Sequence, residues 1–327
     1  MNRRGFLSLA VWLALAALPA DAAERLTIAV IPKGTTQEFW KSVHAGALQA
    51  ANELGVNIIW KGPLKEDDRE AQIAEVENLV SRGVSGIVLA PLDDTALRAP
   101  VRNAALEGIP VVIIDSGLKS REYVSFVATD NLRGGQLAGD HLAGLLQGHG
   151  RVVMLRYQEG SASTMAREQG FVEALARHPG IQLLSANQYG GATTESAYRA
   201  SENLLAPYRT AEAGLAVDGI FCPNESTTFG MLRALQDGGL AGKVRFVGFD
   251  NSEKLVEALG LGELDGLVLP SPVRMGYLGV QTLVRYLSGE KVEKRIDTGV
   301  VLATRENMEE PEIAALLRPL AGPEEEP

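Results

Sequence analysis

Residues Ile109 to Gly117 read IPVVIIDSG, and this stretch decides the fold. Four apolar β-branched residues, Val111 to Ile114, follow a proline and lead into Asp115 and a serine-glycine turn. Such a run has no polar face, so it predicts a strand buried on both sides that delivers a carboxylate at its carboxyl end. The second half echoes it at Val244 to Ser252, VRFVGFDNS, where Asp250 takes the place of Asp115. In an open α/β sheet, ligands bind beyond the carboxyl ends of the strands. Two such strands, one per half, predict two lobes presenting Asp115 and Asp250 to one cleft.

Working outward, apolar runs alternate with helical patterns from Leu26 onward. LTIAVI precedes a helix near Gln37 to Leu54, VNIIW a helix near Arg69 to Arg82, and GIVLA a helix near Thr95 to Glu107. Alternation at this spacing means βαβ units and a parallel sheet. A short strand at Tyr123 to Ala128 and a helix at Asn131 to Leu146 follow, the helix carrying Gly134, Gly135 and Gly139 for close packing. At Arg151 the pattern restarts and runs to GLVLP, ending at Pro270. The predicted fold class is therefore α/β, with two similar doubly wound parallel-sheet lobes joined by a multi-segment hinge and a ligand cleft between them. The expected first lobe is 24–129 plus about 271–292, and the expected second lobe is 130–270 plus about 293–307. Residues 308–327 are expected to be a flexible acidic tail. Candidate crossings are Ala128 to Leu132, Pro270 to Pro272 and Glu290 to Arg295; several crossings make a hinge rather than a tether.

The 327 residues are 46% hydrophobic and 22% charged, the composition of a soluble globular protein long enough for two domains. The formal net charge is -10 with no long Lys/Arg run, so nucleic-acid binding would lack its main source of affinity. Arg3 and Arg4, the apolar run Phe6 to Leu18, and Ala20-Asp21-Ala22 read as a cleaved export signal over residues 1–23. The paired arginines also fit a twin-arginine signal. A periplasmic protein without a stable membrane anchor is expected. The single cysteine, Cys222, follows a strand and is expected to be buried rather than nucleophilic.

No dinucleotide fingerprint follows the first strand, no GxxxxGK loop is present, and EGSAS at Glu159 to Ser163 is not a GxSxG elbow. The histidines His44, His141, His149 and His178 have no metal-ligand spacing, so neither metal nor cofactor is expected and all four read as helix-surface or packing residues; His44, one turn beyond Trp40, is the one to watch. What remains suits a polyhydroxylated ligand. Phe39 and Trp40 fall in the first turn of the first helix, whose start carries a Thr35 to Glu38 capping-box spacing, and aromatic faces stack on sugar rings. Asp115, Asp250, Asn224 and Arg167 have planar side chains that grip vicinal hydroxyls bidentately. For each aspartate the competing reading is a helix N-cap.

Taken together, these residues resemble the periplasmic solute-binding proteins of sugar ABC importers, specifically the ribose-type branch, over Leu26 to about Asn307. The resemblance implies an aromatic pair stacking on sugar at Phe39 and Trp40, a hydroxyl-binding aspartate ending the IPVV strand at Asp115, and the arginine of an RxxGF motif at Arg167. It further implies a binding asparagine at Asn224 in FCPNES and an aspartate at Asp250 in VGFD. The chain departs from the ribose pattern at Ser116, where an arginine is usual, at Gln37, where an asparagine is usual, and at Pro270, where the hinge glutamine is usual. These changes remove specific hydroxyl contacts and leave room, so a hexose, a polyol or a modified sugar is at least as good a candidate as ribose.

The expectation is thus a non-enzymatic, monomeric receptor that closes on a carbohydrate or polyol and docks on the membrane subunits of an ABC permease. Gln37, Phe39, Trp40 and Asp115, with Lys33 and Ser116 as further candidates, would bind from the first lobe. Arg167, Asn224 and Asp250, with Pro270 as a further candidate, would bind from the second. A sensory receptor read by a histidine kinase or chemoreceptor would use the same cleft. A sugar hydrolase would need a defined separation of Asp115 and Asp250, which spacing in sequence does not supply.

Overall fold

The structure, a computed structural model, describes residues 25–210 and 214–318; the expected export signal lies outside them. The first half runs β1 (Thr27–Ile31), α1 (Glu38–Leu54), β2 (Asn57–Trp60), α2 (Arg69–Ser81), β3 (Gly86–Leu89), α3 (Arg98–Leu106), β4 (Val111–Ile114) and β5 (Ser125–Ala128). The second runs α4 (Asn131–Leu145), β6 (His149–Arg156), α5 (Ala162–Leu175), β7 (Gly180–Tyr189), α6 (Thr194–Leu205), a minor hairpin of β8 (Arg209–Thr210) and β9 (Gly214–Leu215), β10 (Gly219–Phe221), α7 (Glu225–Asp237), β11 (Arg245–Phe249), α8 (Glu253–Leu261) and β12 (Gly266–Pro270). The chain ends with α9 (Pro272–Leu287), β13 (Arg295–Asp297), β14 (Val300–Ala303) and α10 (Pro311–Leu317).

Two six-stranded sheets result, ordered β13-β5-β4-β3-β1-β2 and β14-β12-β11-β10-β6-β7. The orders match position for position, so the lobes repeat one design. They differ at the edge, where β13 runs parallel to β5 and β14 antiparallel to β12. Central strands β3 and β4 are buried along their whole length, as their unbroken apolar runs require. In the first lobe α1 and α9 cover one face of the sheet and α2 and α3 the other. In the second, α4 and α5 cover one face, and α6, α7, α8 and α10 the other. Each lobe is thus a doubly wound three-layer sandwich.

The chain passes between sheets after β5, after β12 and between β13 and β14. The third crossing lies later than expected. Residues 295–297 pair with β5 (Arg295 with Phe126, Asp297 with Ala128), so they extend the first lobe rather than opening the last segment of the second. Three residues are too few for periodicity to register. Two crossings are tied together: the Thr129 and Thr298 hydroxyls lie 3.2 Å apart, and Arg295 Nη2 donates to Thr129 O at 2.9 Å.

The expected acidic tail also needs correction over its first half. Pro311 starts α10, and Ile313 and Leu317, four residues apart on one face, are buried in the second-lobe core. The acidic residues hid this single apolar stripe. Residues 319–327 lie outside the described part.

Candidate functional site

The cleft between the lobes is lined by Lys33, Gln37, Phe39, Trp40, Glu66 and Asp115 from the first lobe. Tyr157, Ser163, Thr164, Arg167, Asn224, Glu225 and Asp250 line it from the second. The two strand-ending aspartates are built alike. Asp115 and Asp250 both adopt the left-handed backbone, with φ of 58° and 73°. Their amides donate to the next strand, Asp115 to Val127 O at 3.2 Å and Asp250 to Val268 O at 3.0 Å. Left-handed backbone is costly for a residue with a Cβ, though less so for Asp and Asn, and such residues gather at functional sites. Neither aspartate is the N-cap residue of a helix; at α7 that role falls to Asn224, whose Oδ1 accepts from the Thr227 hydroxyl at 2.6 Å.

Arg167 enters from the second turn of α5 and is held on three sides. Its Nε donates to Asn131 Oδ1 at 2.8 Å, its Nη1 donates to Pro223 O at 2.9 Å, and its guanidinium lies 4.4 Å from the centre of the Phe249 ring. Its Nη2 reaches across to within 4.0 Å of Asp115 Oδ1. Close packing of α4 on α5 sets this position, since a Cβ on Gly135 would sit only 1.9 Å from Arg167 O. Glycine is the one residue that permits that approach.

Lys33 is 3% exposed and pairs with Asp115, Nζ to Oδ2 at 2.8 Å. It also donates across the cleft to Ser163 Oγ at 3.0 Å and Ser161 Oγ at 3.3 Å. Phe39 and Trp40 stand side by side with rings at 90° and centroids 4.9 Å apart. Gln37 lines the cleft as the N-cap of α1 but makes no side-chain cap bond, and Thr35 donates to Pro63 O instead. The predicted capping box is therefore absent. The Glu38 carboxylate accepts from the Glu253 N–H of the opposite lobe at 2.9 Å.

Two further candidates for the site, Ser116 and Pro270, lie elsewhere. Ser116 is fully buried behind the cleft, where its Oγ accepts from the Ser163 N–H at 3.1 Å. Pro270 ends β12 opposite Val300 and is absent from the lining. His44 stacks on Trp60, centroids 4.3 Å apart, and is absent from the cleft lining, a packing role as the sequence suggests. Cys222 is buried, and burial holds its thiol well above the usual range, which keeps it protonated and unreactive.

Sequence reading missed Glu66, Tyr157, Ser163, Thr164 and Glu225. Glu66 comes from the loop before α2, where one carboxylate among KEDDRE has no distinguishing signal. It accepts from the Trp40 indole N–H and from the Tyr157 hydroxyl of the other lobe. Burial raises its pKa, against the pull of Lys33 and of these two donors. Glu225, next to the flagged Asn224, is pushed up to about 8 by burial and then by Asp250. Asp250 is pushed up to about 6 by burial, with Arg167 opposing.

Two doubly wound lobes, linked by three crossings and shut over a polar cleft with an aromatic corner, define a protein that encloses a small ligand between its halves. The chain belongs to the family described as the periplasmic binding protein domain, which it matches over residues 28–291. It is 31% identical to the ribose import binding protein of Haemophilus influenzae over 296 residues, 90% of this chain and 97% of that one. Among solved structures it resembles a carbohydrate transporter solute-binding protein of Agrobacterium radiobacter in complex with D-arabinose. That match has 33% identity and a TM-score of 0.86, and covers 91% of this chain and 100% of the other. It likewise resembles an ABC transporter solute-binding protein of Agrobacterium vitis with bound D-fucose, at 36% identity and a TM-score of 0.85, covering 89% of this chain and 100% of the other.

Proposed function

We propose that this chain is a periplasmic receptor that captures a monosaccharide or related polyol by lobe closure and hands it to an ABC importer. The observation that carries the reading is the convergence of Asp115 and Asp250, held in matching left-handed conformations at the ends of corresponding strands, with Arg167 reaching toward Asp115. Carboxylates fixed in this way accept paired hydroxyl hydrogen bonds, and the arginine donates to ring or hydroxyl oxygens. The relatives named for ribose import, and the solved neighbours holding D-arabinose and D-fucose, support the same ligand class.

Phe39 and Trp40 form a right-angled corner, so a sugar ring stacks on one and meets the edge of the other; they flank the ligand rather than sandwich it. Gln37, Lys33 and Asp115 bind from the first lobe, and Arg167, Asn224 and Asp250 from the second. Ser116 acts by positioning Ser163. The chain works as a monomer, without catalysis or nucleic acid, after removal of an export signal that fits the twin-arginine pattern.

A thermal-shift screen of the mature protein against pentoses, hexoses, deoxysugars and polyols tests this. A ligand at about 100 times its dissociation constant adds roughly 2.7 kcal/mol, a shift of several degrees. One clear hit, lost in Asp115→Ala and Arg167→Ala, is expected. A folded protein that responds to no carbohydrate would sink the reading.

A further inference from the structure

Four carboxylates face this cleft, Glu66, Asp115, Glu225 and Asp250, against two cationic side chains, Lys33 and Arg167. The cations are committed on one side. Lys33 is bound to Asp115 and two serines, and Arg167 to Asn131 and Pro223 with its free edge toward Asp115. Both Glu66 oxygens are taken by the Trp40 and Tyr157 donors.

Glu225 and Asp250 are left. Asp250 Oδ2 accepts the Glu225 N–H at 2.7 Å, while its Oδ1 is buried with no hydrogen-bond partner among the described residues. Glu225 Oε2 accepts the Phe39 N–H at 3.2 Å. No Lys, Arg or His nitrogen among the described residues forms an ion pair with either carboxylate.

We infer that the ligand carries a protonated amine that docks against Glu225 and Asp250, making it an amino sugar or amino polyol. The inference rests on the carbohydrate-receptor reading above and narrows its ligand class. A hydroxyl would donate one hydrogen bond there and leave the rest of this buried pair of acceptors unsatisfied. An ammonium donates three hydrogen bonds, and its charge favours the ionised form of both carboxyl groups.

The surroundings sharpen this. The charged groups facing Glu225 are Asp250 after β11, Glu38 on α1 and Glu66 before α2, all acidic. Those facing Asp250 are Asp115 and Glu66, with Arg167 on α5 as the single opposing cation. Burial and this acidic company hold Glu225 at about 8, so at pH 7 it carries a proton. An arriving ammonium displaces that proton: the Glu225 O–H bond breaks, the proton leaves to solvent, and the carboxylate accepts from the ligand N–H. Binding of the amine at pH 7 therefore releases a proton, and binding of a neutral sugar does not.

Isothermal titration at pH 7, in two buffers of different ionisation enthalpy, tests this with D-glucosamine, D-galactosamine and D-mannosamine, their neutral parents, their N-acetyl derivatives, D-ribose and D-arabinose. At least one amine is expected to bind roughly ten- to a hundredfold more tightly than its neutral parent, the difference between charge-assisted and neutral hydrogen bonds. Its apparent enthalpy should depend on buffer as proton release requires, and N-acetylation should abolish the advantage. In Glu225→Gln the ratio of amine to neutral affinity should fall toward unity, whatever the absolute affinities; Asp250→Asn provides the same ratio if that variant folds poorly. Neutral sugars binding as tightly as every amine, without proton release, would overturn the inference and leave the carbohydrate reading standing. Binding of no carbohydrate of either kind by the folded protein would overturn both.

Discussion

The backbone N–H of Phe39 donates to the carboxylate of Glu225, 186 positions along the chain and on the opposite lobe. The reciprocal contact runs from the Glu253 N–H to the carboxylate of Glu38. Each of α1 and α8 thus has a first-turn amide satisfied by an acidic residue of the other lobe. Exposed amides at a helix start and its positive dipole end both favour a carboxylate there. Shutting the cleft completes two helix caps that neither lobe supplies for itself.

Removal of one cap should therefore weaken ligand binding more than it weakens either lobe. Glu38→Ala loses a contact of the N-cap kind, worth about 0.5–2 kcal/mol. The expected result is a dissociation constant raised roughly two- to thirtyfold. An unchanged dissociation constant would mean that the Glu38 contact contributes nothing to closure.

Stability of the ligand-free closed form should fall as pH rises from about 4.5 to 8. Glu225 has a folded-state value of about 8 against an ordinary 4.5, so in that window the closed form binds more protons than the unfolded chain. The slope of unfolding free energy with pH is then negative. Asp250, at about 6 against 3.8, adds to the slope in the lower part of the window. Thermal melts from pH 5 to 8 should show the decline, and Glu225→Gln, which cannot ionise, should flatten its upper part.

Lys33→Met should be strongly destabilising. It leaves the Asp115 carboxylate buried without its 2.8 Å partner, and breaking a buried pair from one side costs about 3–5 kcal/mol. Denaturant unfolding should show a loss of that size. The double variant Lys33→Met with Asp115→Asn, which removes the stranded charge, should recover part of it.

Gly160→Ala should favour the open arrangement. Gly160 has φ of 86°, its carbonyl accepts from Asp94 N–H at 2.9 Å across the lobe boundary, and a Cβ there would meet Asp93 Oδ2 at 2.3 Å. Both the backbone conformation and the contact with the first lobe disfavour a side chain. Scattering should report a larger radius of gyration than wild type, with the secondary-structure signal intact.

Leu317→Ala tests whether the end of the chain contributes to the fold. Leu317 is 5% exposed within the second-lobe core, and truncating a leucine so placed costs about 2–5 kcal/mol. A change under about 0.5 kcal/mol, the range of an exposed substitution, would show that α10 does not pack there.

The architecture was legible because buried parallel strands advertise themselves. IPVVIID and VRFVGFD could be nothing else, and the aspartates ending them fall at the cleft as expected. Arg167 was legible through its RxxGF setting, although the close approach that seats it depends on Gly135 in another helix. Glu66 was not legible, because its importance comes from meeting Trp40 and Tyr157 in space rather than from any local pattern. The same holds for Glu225, which reads as an ordinary first-turn glutamate until Asp250 and Phe39 stand beside it. Thr35 and Glu38 matched a capping box by spacing, yet the carboxylate found a better partner across the cleft. Local pattern fixes elements; partners from a distant element decide what their ends do.

The pairing of β13 with β5 has a consequence for how the chain is made. The edge strand of the first lobe and the helix α9 that covers its sheet are synthesised only after β6 through β12 of the second lobe, and the Thr129–Thr298 contact joins residues 169 positions apart. Contacts of such long range form late, since loop closure must precede them. The nascent first lobe therefore waits, with an unpaired sheet edge and one face covered by α1 alone, until the second lobe has been translated as far as β12. Neither lobe is an autonomous product of synthesis, and a chain stopped after Pro270 would expose an aggregation-prone strand edge rather than half a receptor.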